Sequence, residues 1–530
     1  MPLPSDVICT HPLGERILAP PQPPPAWPVD TPGGRYYAEL DLDAPVTREG
    51  QLIFFAQFLH TGGRWARLLE GCPLRYYGNR GSGACNVVGT AALSILCGHW
   101  RYAHINALRG DTLNPPLLGM ARVVSEDVVR RALKRIDEAE GLRWLAGELR
   151  ASAGPLLSQP WVLDIDVTVK PLYGHQQGAQ IGHNPQKPGR PSHTYHSYFM
   201  ANTRLCLGVE ARGGKEHAAR HGLPGLWSLL DALPRTHWPA FVRGDCGYGN
   251  EVLLGECEAR GLPCFFKLRH TAKVKTLLAQ VQRAGGGAWQ DAGDGWEVIE
   301  ARLRLSGWSA ERRVVLVREK PALAPVGAQA RRRRDTFAPA LPGADDWQHS
   351  AAPWAGRIAV LVTTLDAAAY PAVALARLYR ERADAENIYD ELKNQWGWCG
   401  YTTQKLAPSR LMANLIALVY NWWHLYVRLY DGDHHREAIT SRPALLSGVA
   451  RLIRHGGQRT VKVSVRHEKS DVITAAITQV SNTLSRIQAI AEQWSSEQRW
   501  TLLLSYIFRR WLGGKWLGQL PPEAEALLSG

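Results

Sequence analysis

Between residues 160 and 270 the chain breaks into short apolar runs separated by turns: WVLDIDVTV, SYFMA, RLCLGVEA, LWSLLDAL, AFVRGDCGYG, NEVLLGECEA and CFFKLR. No other feature restricts the possible folds as much. Read by length and periodicity, the order is strand, strand, strand, helix, strand, helix, strand. Three strands able to pair as a meander, followed by strands alternating with helices, predict a mixed sheet with helices packed on its faces. The rhythm stops over 270–356. There a hairpin-like pair, GWEVIEARLRL and RRVVLVRE, leads into a Pro-, Ala- and Gly-rich stretch carrying the basic run Arg331 to Arg334. Core order returns with RIAVLVTT at 357–364, which reads as a strand, and a long helix is predicted from 371 to 396. The middle segment is therefore an insertion between two elements of one domain.

The flanks differ in texture. Residues 1–44 form a Pro-rich lead, with ILAPPQPPPAWP at 17–28 predicted to run extended because proline removes donors and disfavours helix interiors. From 45 to 155 the pattern is helical. In VSEDVVRRALKR, Ser125 is placed as an N-cap with Glu126 and Asp127 in the first turn, and Val129, Leu133 and Ile136 recur at helical spacing. Arg130, Arg131, Lys134 and Arg135 lie off that stripe, as a solvated basic face or a DNA-contacting one. Residues 431–530 are mostly helical apart from TVKVSV at 460–465.

Lys and Arg outnumber Asp and Glu by 62 to 48, a net charge of +14, which favours a polyanionic partner. A membrane-spanning reading fails. The most apolar stretch, Leu411 to Tyr430, is interrupted by Asn414, Asn421, His424 and Arg428, and the N-terminus shows no basic region followed by an apolar one. Nine scattered cysteines without a C-x-x-C pair read as reduced thiols of a cytoplasmic protein.

Three acidic positions stand out. Asp164 and Asp166 alternate with Leu163, Ile165 and Val167 in one apolar strand, so the two carboxylates share a face. Asp245 follows AFVRG in a Gly-flanked turn, at a strand end where such sheets present groups to ligands; alone, it also suits a plain turn residue. On the predicted long helix, Tyr379, Arg382, Glu386 and Lys393 fall within a stripe roughly 60° wide at about 100° per residue. Asp390 lies close enough to rival Glu386. Two strand-end Asp and one helix Glu suit hard divalent cations and two-metal phosphoryl transfer. A paired-carboxylate glycosidase is the rival chemistry, but the basic balance and the neighbouring Arg and Lys favour a phosphate substrate.

These residues resemble a known family. The helix fills every position of the Y-x2-R-x3-E-x6-K signature of IS4-type DDE transposases. DIDVTVKPLYGHQQGAQIGHNPQKPGRPSH and VRGDCGYGNE look like the first- and second-Asp segments of the IS1380 group. The resemblance covers about 160–430. It implies a ribonuclease H-like mixed sheet with flanking helices and a β-rich insertion before the Glu helix, to which the sequence pattern adds mostly helical N- and C-terminal regions. It makes 156–430 the catalytic domain, with 270–356 inserted; the helical pattern and basic residues of 45–155 are read as a DNA-binding domain. Thr168 stands where the family follows its first Asp with x-Thr, so the resemblance selects Asp166, with Asp164 second; Asp245 and Glu386 complete the set. Cys246 replaces a common Ser.

By the same resemblance, Tyr379, Arg382 and Lys393 contact DNA phosphates. The Gly-rich loop 173–190, with Lys187 and Arg190, reads as a DNA-end contact, since glycines let backbone approach a phosphate, or equally as a plain surface loop. Trp227, Trp396 and Trp398 read as core side chains more readily than as base-stacking ones. The expected cofactor is Mg²⁺, with Mn²⁺ as substitute. The expected partners are element terminal inverted repeats and target DNA, bound by a homodimer. Cut-and-paste transposition, with a hairpinned end implied by the family alone, is the leading reading. A nuclease that cleaves without joining and an inactive end-binding protein are its rivals.

Overall fold

The computed structural model describes residues 8–10, 16–18, 27–32, 34–38, 45–76, 82–184, 187–216, 223–283, 289–320, 358–431, 435–464, 470–490 and 494–518; side chains at 383–386 are outside the described set. The Arg331 to Arg334 run and most of the Pro-rich lead also lie outside it. What is described of the lead forms two ribbons, Ile8–Thr10 (β1) with Arg16–Leu18 (β2) and Trp27–Thr31 (β3) with Gly34–Ala38 (β4). Val46–Thr47 (β5) pairs with Ala450–His455 (β16), which pairs in turn with Gln458–Val463 (β17).

The alternating pattern of LDIDVTV becomes the central strand Val162–Pro171 (β6). On one side it pairs antiparallel with Pro191–Met200 (β8), which carries the short Gln180–Ile181 (β7) and the edge strand Leu205–Gly213 (β9). On the other side it pairs parallel with Phe241–Gly244 (β10), which pairs parallel with Cys264–Lys267 (β11). A meander of three strands joined through the first to two parallel strands is the ribonuclease H-like order. The sheet then continues: Ile358–Thr363 (β15) pairs antiparallel with β11, and Arg312–Glu319 (β14), Trp296–Leu303 (β13) and Gln290–Gly293 (β12) follow. The expected hairpin thus extends the main sheet instead of standing apart from it.

An edge strand exposes unpaired backbone groups and needs cover. The cover for β9 is the helix Leu406–Tyr430, and the polar residues that excluded a membrane span supply it. Asn421 accepts from Cys206 N and donates to Cys206 O, both at 2.8 Å, as a neighbouring strand would. Asn414 donates to Val209 O and Arg410 Nε to Ala211 O, at 3.0 and 2.7 Å. Among the described residues no helix is long and apolar enough to cross a membrane.

The opposite side of this helix gathers residues from both ends of the chain into one core. Phe55 packs on Trp423 and Tyr426, and Phe58 on Trp500. Trp422 and Trp500 both donate their indole N–H to Ser152, so the buried rings keep a polar partner. Helices Glu126–Arg135 and Glu138–Ala153 belong to the same core, the first capped by Ser125 as expected.

A histidine marks the joint between the N-terminal helices and the loop that leads into the central helix. His99 Nδ1 and the Tyr401 hydroxyl share Ser94 Oγ, at 3.2 and 2.8 Å. Burial, with His104 nearby, lowers His99 from 6.5 to about 4. A histidine with a depressed folded value contributes its stability in full above the unfolded value and loses it as pH falls toward the folded one. Acidification from neutral pH toward 4 is expected to cost the wild type roughly 3 kcal/mol more than His99→Gln. Urea midpoints of both proteins at the two pH values check this.

Candidate active site

The parallel register decides how the acidic residues meet. Val242 lies beside Leu163, Arg243 beside Asp164 and Gly244 beside Ile165, so the next residue, Asp245, comes level with Asp166. Neighbouring strands run about 4.8 Å apart, which places the two carboxylates at adjacent strand positions. Asp245 turns the chain: its Oδ1 accepts from Gly247 N at 2.8 Å and its carbonyl from Tyr248 N at 3.2 Å. The flanking glycines serve this turn, for a Cβ on Gly249 would stand 2.5 Å from Lys267 O.

Asp164 and Asp166 share a face but not an environment. Asp164 is 3% exposed and is gripped through both oxygens by Arg243, with Nη2 to Oδ2 at 3.0 Å. Arg243 also donates Nη1 to Leu378 O, tying the sheet to the helix Ala372–Arg380. Asp164 is therefore one half of a closed structural ion pair. The side chain of Asp166 is 14% exposed. Its Oδ1 accepts from Val167 N at 2.7 Å and its Oδ2 from Arg382 Nη2 at 2.6 Å. Burial raises the Asp166 carboxyl above the usual range; Arg382 opposes this, and the charge of Asp245 adds to it.

The predicted long helix is two helices, Ala372–Arg380 and Ala383–Asn394, broken at Glu381 and Arg382. There Arg382 N bonds to Tyr379 O, three residues back, a locally tightened turn. The stripe computed for an unbroken helix thus splits at the residue whose guanidinium reaches Asp166. Arg382 is 7% exposed and engaged with that carboxylate. Tyr379 is half buried, edge-on to Phe265 at 5.9 Å. Lys393 is half buried in the last turn of the second helix.

Position 386 lies on that second helix one turn before Tyr389, whose hydroxyl meets Ser197 Oγ at 2.7 Å while Ser197 Oγ donates to Asp166 O at 3.3 Å. Burial, with the Asp166 charge next, holds the Tyr389 hydroxyl well above its ordinary value. Tyr389 is therefore turned to the Asp166 strand. Asp390 is exposed and bonded to Asn394 at 2.7 Å.

In the loop after β6, Lys187 and Arg190 surround one aromatic ring. Lys187 Nζ meets the Tyr173 hydroxyl and lies 5.0 Å from the ring centre; the Arg190 guanidinium lies 4.8 Å from it. Tyr173 is 68% exposed, so the cluster faces solvent. The expectation that the loop glycines make room for a phosphate is met differently at Gly182, where a Cβ would stand 1.8 Å from Gly214 O. Glycine there serves the protein's own backbone. Trp396 and Trp398 are core residues, donating to Glu391 and to Ala413 O, and Trp227 donates to Glu256.

Sequence reasoning passed over Arg243, Tyr389, Tyr173 and Lys170. Aligning the two parallel strands as D-x-D beside R-x-D would have exposed the Arg243 pair. Lys170, buried on the Asp166 face, donates to Gly400 O, and burial lowers it to about 8. Two carboxylates at adjacent strand ends are oxygen donors of the kind that suit a hard divalent cation, and among the described residues no group of three or more His, Cys, Asp or Glu gathers at one place to hold it.

Two aspartates level at neighbouring strand ends of a ribonuclease H-like sheet fit the DDE class of enzymes. The chain belongs to the family described as transposase DDE domain group 1, whose model matches residues 85–485. No curated protein matches it. Among solved structures, one of the piggyBac transposase synaptic complex with hairpin DNA overlays at a TM-score of 0.35 and 10% identity, covering 90% of this chain and 87% of that one.

Proposed function

We propose that the protein is an IS4-type transposase of the IS1380 group, acting in the bacterial cytoplasm as a homodimer on the terminal inverted repeats of its element and on target DNA. Asp166, Asp245 and Glu386 hold Mg²⁺, or Mn²⁺ in its place. When bound, the ions polarise the attacking oxygen and stabilise the leaving one during in-line phosphoryl transfer. The chain's own residues do the positioning. Arg243 fixes Asp164 and thereby the strand; Tyr389 and Ser197 hold the helix against the Asp166 segment; Lys393, Tyr379 and Arg382 orient the scissile end. Lys187 and Arg190 beside Tyr173 grip backbone phosphates farther along the duplex. The helical stretch 45–155, with exposed Arg131, Lys134 and Arg135, contributes further DNA contacts.

The observation that carries this reading is the β6–β10 register, which makes Asp245 the lateral neighbour of Asp166. Both a nuclease and a transposase would cut; only a transposase joins. The test places the reading frame and its flanking DNA on a donor plasmid beside an empty target plasmid. Sealed insertions in the target, dependent on Mg²⁺ or Mn²⁺, are expected. Cleavage without any joined product would reject transposition.

A further inference from the structure

Two arginines enter the acidic site, and they are held differently. Each of the three guanidinium nitrogens of Arg243 has an acceptor, two on Asp164 and one on Leu378 O. A buried pair satisfied in this way is fixed structure. Arg382 is nearly as buried, yet its hold on Asp166 is the single Nη2 contact at 2.6 Å, and its buried Nε has no hydrogen-bond partner. A buried donor left unmade is costly. The carboxylate it does reach, Asp166, stands level with Asp245 on the neighbouring strand, so the guanidinium lies against one of two adjacent negative charges.

A divalent ion on the same carboxylates would supply more charge at the same place. It would also repel a guanidinium sharing Asp166 Oδ2. Resting on the metal-site reading above, we propose that Arg382 is the placeholder cation of this site. It holds Asp166 until a divalent ion binds, yields the carboxylate to that ion, and turns its freed guanidinium to a DNA phosphate. Ion loading and DNA engagement then strengthen each other, since coupling between two binding events is reciprocal.

Mn²⁺ binding to the full chain, read by electron paramagnetic resonance, tests this without reference to activity. Arg382→Gln is expected to bind Mn²⁺ about tenfold more tightly than wild type, within the usual range of such couplings, while Arg382→Lys, which keeps a charge, stays near wild type. Equal or weaker Mn²⁺ binding by Arg382→Gln overturns the proposal. Adding a duplex of arbitrary sequence should tighten Mn²⁺ binding more for wild type than for Arg382→Gln; equal gains overturn the coupling. The site itself is tested separately by Asp166→Asn in the Arg382→Gln background. Undiminished Mn²⁺ binding there rejects the metal-site reading, whatever Arg382 does. If Arg382→Gln fails to fold, wild-type crystals soaked in Mn²⁺ decide: the Arg382 to Asp166 contact should open, and a contact that persists beside a bound ion overturns the proposal.

Discussion

Asp245→Asn is expected to abolish metal-dependent strand cleavage while leaving the metal-free protein at least as stable as wild type. The two halves of this result have one cause. Burial raises the Asp166 carboxyl and the charge of Asp245, level with it, adds to the rise, so in the absence of an ion the pair costs the fold something. A neutral amide removes that repulsion and keeps the size of the side chain, including an oxygen for Gly247 N. On the proposed metal site the same change removes a cation ligand. Losing several kcal/mol of transition-state stabilisation lowers the rate on the order of a thousandfold or more.

Asp166→Asn should lose activity to the same extent, with the opposite effect on stability, because it strands the buried Arg382 without its anion. Glu386→Ala should be equally inactive. Cleavage of supercoiled plasmid carrying the element, measured beside urea unfolding, separates the three. Robust cleavage by Glu386→Ala would move the third position to Asp390. A destabilised Asp245→Asn would mean that its turn, and not its charge, is what the fold requires.

The sheet was largely legible because its signals are local. Alternation in LDIDVTV, the turn chemistry of GDCGYG and the cap before Val129 each report on a few consecutive residues, and the strands and helices formed where those signals lie. What escaped depends on register and facing. A helical wheel shows that Arg382 and Glu386 share a side, but not that the helix breaks between Tyr379 and Ala383, or that Asp166 waits opposite Arg382. Likewise AFVRG reads as an apolar strand with one odd residue until β10 is laid parallel to β6, when Arg243 falls beside Asp164. The start of β8 was hidden because PSHTYH is polar by composition, yet Ser192, His193 and His196 are fully buried there between partner strands. The asparagines of the central helix excluded lipid from sequence alone, and only the structure shows that they finish the edge of β9.

Register also separates the two aspartates of β6 by experiment. Asp164→Ala is expected to destabilise the protein by about 3–5 kcal/mol, the cost of breaking a buried ion pair and leaving one charge uncompensated. Arg243 would keep only its contact to Leu378 O, at the end of the helix that precedes the signature break. Replacing both partners, Asp164→Leu with Arg243→Leu, should recover much of the loss, because no unpaired charge remains and apolar side chains of similar bulk fill the space. The interaction energy from that double-mutant cycle measures the pair. Activity gives the second readout. If Asp164 only supports the strand, whatever folded Asp164→Ala remains at low temperature should cleave DNA within about tenfold of wild type, since the loss acts through position and not through a missing ligand. A folded Asp164→Ala as inactive as Asp166→Asn would instead transfer the first metal-ligand role to Asp164 and make Arg243, rather than Arg382, the cation that an incoming ion must displace.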